Sequence, residues 1–335
     1  ITVNTYTVKI DKENPTAGTV SMKLNNSTGA NYEKDTWTNQ SIYVELNNGS
    51  DNHSGHLSTV YSVTGIMTKA DGTTQEITKI ENQTSPVTLN PEDVEENTSV
   101  IYTIVVTTED LSGESYTEAG NISTNTYTVK IDKIHPTVKV DPEKTTSAEA
   151  NDYVLSQNVT ITIEDLGGTL LNDTYNASRY QYFLSSSEKN LTDGEWTEYT
   201  VQKDETSQTD KRVGSITIGE GKTGTFYLFI QTLNDNVDNV SNNSIVTIDG
   251  VQYHRFGPYK FDNTIPEKEA TLIMERHNGE GTKLSDYTND TWTNDNVYIT
   301  LANDAQDAHS GVANSKYTVK KDGTEIIKDK SEPTT

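Results

Sequence analysis

The chain holds 335 residues with no cysteine, and 26 basic against 50 acidic side chains give it a formal net charge of −24. Disulfides and thiolate metal sites are excluded, and a surface this acidic repels phosphate backbones and anionic headgroups, so no nucleic-acid partner is expected. No run approaches the roughly 18–20 apolar residues that cross a bilayer, so membrane insertion is not expected either.

Asn4–Lys12 reads NTYTVKIDK, so the chain opens mid-strand, as a piece of a longer polypeptide would. Thr36–Leu46, TWTNQSIYVEL, follows, with Ile42, Val44 and Leu46 alternating with Tyr43 and Glu45. Such period-two runs of β-branched residues predict half-buried strands. His53-Ser54-Gly55-His56 reads as a turn, the glycine serving a positive-φ position and the serine capping the local backbone. Val100, Tyr102, Ile104 and Val106 mark another strand, and Asn125–Lys133 then repeats NTYTVKIDK letter for letter.

The second half continues the pattern with Val159, Ile161 and Ile163, then Phe226, Leu228 and Ile230. Pro258–Pro266 carries a degenerate third copy of the nonapeptide, with Asp262 and Pro266 at the spacing of Asp132 and Pro136. Thr291–Leu301, TWTNDNVYITL, restates the second phrase, and His309-Ser310-Gly311 follows it. Asp71-Gly72, Asp193-Gly194, Asp249-Gly250 and Asp322-Gly323 predict hairpin turns. Pro15, Pro136 and Pro266 cut the chain into a closing strand and linker at 1–14, units at 15–135 and 136–265, and the first part of a third unit at 266–335. About seven strands per unit predict an all-β sandwich, and repetition of one unit points to architecture rather than to a single pocket.

The residues also resemble a known family. Each full unit has a D-x-x-S-G-like loop, and Phe226–Ser241 is similar to the G-x-Y-x-l-x-v-x-a-x-D-x-a-G-N-x-S signature of bacterial immunoglobulin-like repeats. Gly120-Asn121-Ile122-Ser123 supplies the end of that signature in the first unit, displaced from Asp110 by an insertion, and Asp238 stands where the second would carry glycine. The closing Y-T-V-K-I-D-K-x-x-P-T strand and linker completes the likeness, which covers nearly the whole chain. It implies tandem immunoglobulin-like sandwiches arranged end to end as an extended rod. It further implies an extracellular location, on a bacterial cell surface or cell wall or in a secreted protein, and a stalk that projects a distal binding domain. Host glycans or surface proteins would be met through other domains. The alternatives are a glycan- or host-protein-binding adhesin module and a subunit of an extracellular lattice or filament, with lateral or head-to-tail self-association.

No catalytic constellation stands out: there is no phosphate-binding glycine loop, G-x-S-x-G elbow or H-E-x-x-H, so no enzyme activity is expected. Calcium is the candidate ligand, because hard oxygens at junctions between sandwiches suit an ion that takes six to eight of them. Asp132, Asp235, Asp238 and Asp262 are the candidate metal residues, with Asp11 and Asp110 in matching places. The competing reading is that Asp and Asn favour turns through side-chain to backbone bonds. Trp196, Tyr199, Tyr175, Tyr180 and Tyr182 form an aromatic group for which core packing is expected over sugar stacking.

Overall fold

A computed structural model describes residues 3–113, 120–144, 153–302 and 304–331. The all-β expectation holds: the only α-helical segment among them is α1 (Asp173–Asn176), one turn whose Tyr175 amide donates to the Asn172 side chain. No helix among the described residues is long and apolar enough to cross a membrane.

The first part of the chain forms β1 (Thr19–Leu24), β2 (Trp37–Thr38), β3 (Ile42–Asn47), β4 (His56–Lys69), β5 (Thr74–Gln83), β6 (Val87–Leu89), β7 (Thr98–Asp110) and β8 (Ile122–Asp132). Two sheets result, ordered β1-β3-β6 and β2-β8-β7-β4-β5. Alternation decides which face goes inward. In β7 the side chains of Val100, Tyr102, Ile104 and Val106 are buried while Ile101 is exposed. They meet Ile42, Val44 and Leu89 of the opposite sheet in one core drawn from residues 20–131. Each such buried aliphatic chain contributes about 1.5–3 kcal/mol, and Ile104→Ala would open a cavity costing about 2–5 kcal/mol. The pairing of β2 with β8 is parallel, Trp37 opposite Lys130 and Thr38 opposite Ile131.

The second part forms β9 (Thr137–Asp141), β10 (Gln157–Asp165), β11 (Gln181–Ser185), β12 (Thr197–Glu198), β13 (Val201–Lys203), β14 (Asp210–Ile218), β15 (Gly224–Gln231), β16 (Ile245–Ile248) and β17 (Val251–Phe261). Its sheets run β13-β14-β10-β9 and β12-β11-β15-β17-β16, and their shared core is drawn from residues 138–261. Tyr199 lies in that core with Tyr180 and Tyr182 against it. Trp196 packs elsewhere: it joins Phe183, Phe229 and Ile248 on the outer face of the five-stranded sheet, its ring 5.6 Å from Phe183 and 5.5 Å from Tyr253. Tyr175 is 39% exposed, under the Arg179 guanidinium.

The last part forms β18 (Leu272–His277), β19 (Lys283–Asp286), β20 (Asn296–Leu301), β21 (Tyr317–Lys321) and β22 (Thr324–Lys330), in sheets β19-β18-β20 and β21-β22. Among its described residues Tyr317 is the one large apolar side chain that is buried. Asp249-Gly250 and Asp322-Gly323 make the expected two-residue hairpins with positive φ at both positions. Asp71-Gly72 turns β4 into β5. Asp193-Gly194 does not make a two-residue hairpin. It lies inside the longer connection between β11 and β12, where Asp193 alone is left-handed.

Candidate functional site

The recurring linker aspartates do one job in three places. Asp11 accepts the Glu13 amide on Oδ1 (3.0 Å) and the Ser54 amide on Oδ2 (3.0 Å). Asp132, at the end of β8, accepts the Ile134 amide (2.9 Å) on one oxygen and the amide and hydroxyl of Thr169 (2.9 and 3.1 Å) on the other. Asp262, just past β17, accepts the Thr264 amide and hydroxyl (3.1 and 2.7 Å) on one oxygen and the Ser310 amide (3.1 Å) on the other. One oxygen thus fixes the linker's own backbone, and the second grips a loop further along the chain. The charge-assisted bonds from Glu13 and Ser54 hold Asp11 below the usual carboxylate range, and those from Ser310 and Thr264 do the same for Asp262.

Each gripped loop is organised by an aspartate of its own. Asp51 Oδ1 accepts from the amides of His53 and Gly55 (2.9 and 2.8 Å), and Asp307 Oδ1 accepts from those of His309 and Gly311 (3.0 and 3.1 Å). Gly55 and Gly311 sit at φ 96° and 75°, the left-handed region the sequence assigned to the first. In the middle loop Asp165 and Thr169 are one residue further apart than Asp51 and Ser54. Asp165 Oδ1 accepts only the Gly167 amide (3.1 Å), and Oδ2, although buried, has no hydrogen-bond partner.

A third aspartate completes each of the first two junctions. Asp110 gathers the amide and hydroxyl of Ser112 and the amide and side chain of Asn121. Burial opposes ionisation there, but these bonds prevail and bring its pKa down to about 2. Asp235 gathers Val237 and Asn239 in the same way, and its Oδ2 also lies 2.8 Å from the Thr169 hydroxyl. That hydroxyl has one proton for two carboxylate oxygens, those of Asp132 and Asp235.

The middle junction therefore brings Asp132, Asp165 and Asp235 together, at 0%, 1% and 0% exposure. Asp210 lies opposite Asp165 in the β10–β14 register and is partly offset by Arg212 at 3.1 Å. Burial first, then the charges of Asp235, Asp132 and Asp210, push Asp165 up to about 7 against its one bond from Gly167. Burial also raises Asp132, with Asp235 adding to it and the bonds from Ile134 and Thr169 opposing. The cluster is short of positive charge, which a proton or a cation bound by oxygen would supply.

Apolar contact closes the same junction. A Cβ on Gly167 would stand 2.5 Å from Ile134 Cβ, and one on Gly168 would stand 2.6 Å from three atoms of the Trp37 ring. Only glycine lets that loop sit so close.

Of the four metal candidates named from sequence, the structure brings Asp132 and Asp235 together and places Asp262 at the next junction. Asp238 stands apart, exposed and at φ 64°, in the conformation a glycine would take most easily. Asp165 was missed, and aligning its loop on the two HSG loops across the one-residue insertion would have found it. At the first junction, ligand atoms of Asp11, Asp51 and His53 all lie within 4.8 Å of one another.

One buried pair has the look of chemistry. Ser241 Oγ lies 2.7 Å from His254 Nε2, and His254 Nδ1 lies 2.6 Å from the Asn243 carbonyl. Both side chains are sealed at 1% and 0% exposure, and burial pulls the histidine down to about 4 against the Asn243 bond. With the Leu233 amide also donating to Ser241 (2.8 Å), the pair serves the turn after β15. No protein-family model matches the chain, and no curated protein sequence matches it.

Proposed function

We propose that the chain is a non-catalytic spacer. Immunoglobulin-like sandwiches at 15–135 and 136–265, and a third begun at 266–335, follow one another as an extended rod, with 1–14 closing a preceding sandwich. The rod belongs to a bacterial surface or secreted protein and holds a distal binding domain away from the cell. The observation that carries this reading is the threefold recurrence of the linker grip, Asp11 on Ser54, Asp132 on Thr169 and Asp262 on Ser310. A linker whose carboxylate is bonded on both sides resists bending, and Pro15, Pro136 and Pro266 hold the backbone beside it extended. The charge of −24 keeps neighbouring rods apart.

Small-angle scattering tests the shape. Two and a half sandwiches in line, about 100 Å long from strand rise and length, give a radius of gyration of about 30 Å. A compact body of this length gives about 20 Å, and that value in a monodisperse sample would sink the spacer.

Calcium fits the middle junction as a stiffener. Asp132 and Asp235, whose oxygens flank the one Thr169 hydroxyl, would hold it, with Asp165 Oδ2 the nearby oxygen left without a partner. The ion supplies positive charge to oxygens that otherwise repel. Asp11, Asp51 and His53 at the first junction, with ligand atoms within 4.8 Å of one another, are the other place for the ion, whereas both oxygens of Asp262 already accept backbone amides. Binding at about 0.1–1 mM, the range of extracellular calcium modules, should raise the melting temperature by mass action. An unchanged melting temperature in calcium and in chelator, with no heat on titration, removes the ion from this reading.

A further inference from the structure

An aromatic ring borders the middle junction. Trp37, in β2, pairs in parallel with Lys130 of β8, whose ammonium lies 6.0 Å above the indole, while the six-membered part of the ring rests on Gly168 of the next loop. The junction at Asp262 repeats this with different letters. Val154 bridges in parallel to Phe261, Lys260 lies 5.6 Å over Tyr153, and the tyrosine meets His309 of the next loop edge-on at 6.0 Å.

Trp37 also lines an open groove of about 360 Å³. Asn31, Glu33 and Asn39 line it with Trp37 from the first part of the chain, and Asn236 and Asp238 from the second. Both walls are fixed from behind. The Tyr32 hydroxyl donates to the Thr36 carbonyl and accepts the Lys130 amide (3.1 Å), and the Thr36 hydroxyl donates to the Glu33 carbonyl (2.6 Å). On the other wall the Asn236 amide donates to the Leu170 carbonyl (2.9 Å), and Asp235 holds the amides on either side of Asp238.

The side chains that line this rigid groove are unengaged. Among the described residues, nothing pairs with the Trp37 indole N–H, the side-chain amides of Asn31, Asn39 and Asn236, or the carboxylates of Glu33 and Asp238, and none of these groups is sealed from water. Asp238 is the most telling of them. It holds φ 64° where the repeat signature carries glycine. Glycine would make that turn with less strain, and what aspartate adds there is a free carboxylate on the groove.

We infer that the groove binds an uncharged oligosaccharide. Planar amides and carboxylates set around an indole match the hydroxyl donors and acceptors and the C–H groups that a sugar ring presents. So polar a lining does not suit an apolar ligand. With two carboxylates and no Lys or Arg lining it, the groove repels phosphates, sulfates and uronates. Walls held rigid before binding leave little ordering to oppose it. Asn236 also borders a second hollow of about 420 Å³ beside Asp173 and Lys203, so the saccharide can run on past one ring. Because its walls come from two parts of the chain, an occupied groove bridges the middle junction. The site needs that junction alone: a compact shape in scattering would sink the spacer and leave the groove in place.

Proton–nitrogen correlation spectra of the whole chain test this. Its three tryptophans give three indole N–H signals, and Trp37→Phe identifies one of them. Maltotetraose, cellotetraose, mannotetraose and chitotetraose are each titrated to about 10 mM. At least one should shift the Trp37 signal saturably, with half the effect between about 0.1 and 5 mM, while Trp196 and Trp292 stay in place. Asp238→Gly should keep or raise the melting temperature and weaken that titration at least about tenfold. Asn31→Ala, at an exposed position, should weaken it about threefold. No shift with any of the four, a shift of Trp196 in place of Trp37, an unchanged titration in Asp238→Gly, or an equal response to sialyllactose or tetralysine would overturn the inference.

Discussion

The loop from Asp51 to Gly55 and the loop from Asp165 to Thr169 hold equivalent places, yet one extra residue separates their electrostatics. In the short loop one oxygen of the half-exposed aspartate accepts from the amides of both His53 and Gly55. In the long loop Gly167 alone reaches Asp165, and the unpaired oxygen is left among Asp132, Asp210 and Asp235. Whether a buried carboxylate stabilises or destabilises is settled by how many N–H groups its loop turns toward it. An insertion has changed a neutralised grip into one that needs a further positive charge.

Substitution at the two loop aspartates should break the symmetry most sharply. Asp51→Ala strips two amides of their acceptor and should cost about 2–4 kcal/mol in urea unfolding. Asp165→Asn, measured in chelator at about pH 8, should instead stabilise by about 1–3 kcal/mol, because it removes a charge that burial and three neighbours oppose. The same variant should lose the rise in melting temperature that calcium gives the unaltered chain. Equal losses from both substitutions would show that the two loops do not differ in kind.

The glycine contact should give a somewhat smaller effect. Gly168→Ala drives a methyl group into the Trp37 ring and should cost about 1–3 kcal/mol, read as lost hydrogen-exchange protection at the Thr169 amide. Gly55→Ala strains only its own positive φ, at about 1 kcal/mol. Undiminished protection at Thr169 in Gly168→Ala would mean that the indole does not help to hold the junction.

The smallest effect is on pH dependence. Asp165 has a raised folded pKa, so the folded chain binds the extra proton between the ordinary carboxylate value and about 7. Stability in chelator should therefore fall as pH rises through that window. Asp11, Asp110 and Asp262 are shifted down, so their contribution is present above about pH 4 and is lost as pH falls through their folded values. Thermal melts should show a maximum near about pH 4, and Asp165→Asn should flatten the limb above it while leaving the acid limb unchanged.

Much of this was legible in the letters, because alternation in β3, β7, β10 and β15 is a local signal that the two cores obey. The identical nonapeptides singled out Asp132, and spacing carried it to Asp262. Asp165 was not legible, since an aspartate in a glycine-rich loop reads the same whether it faces water or three other carboxylates. Only the fold brings 132, 165 and 235 together. Tyr153 hid for another reason: the middle unit has lost the Thr-Trp-Thr phrase, and its equivalence to Trp37 shows only in the parallel bridge and the lysine above the ring. Asp193-Gly194 has the letters of a hairpin turn without the flanking strands that would make it one.

The parallel pairing of β2 with β8 bears on what happens under tension. A pull along the chain draws Trp37–Thr38 back toward the start and Lys130–Ile131 on toward the end. Because the two strands point the same way, the load is shared by the bonds between them at once and shears them together. An antiparallel hairpin pulled at its open end would instead unzip one rung at a time. The small patch under the tryptophan is thus where the first part of the chain would resist a drag force, directly beside the aspartate that hands the load to the next loop.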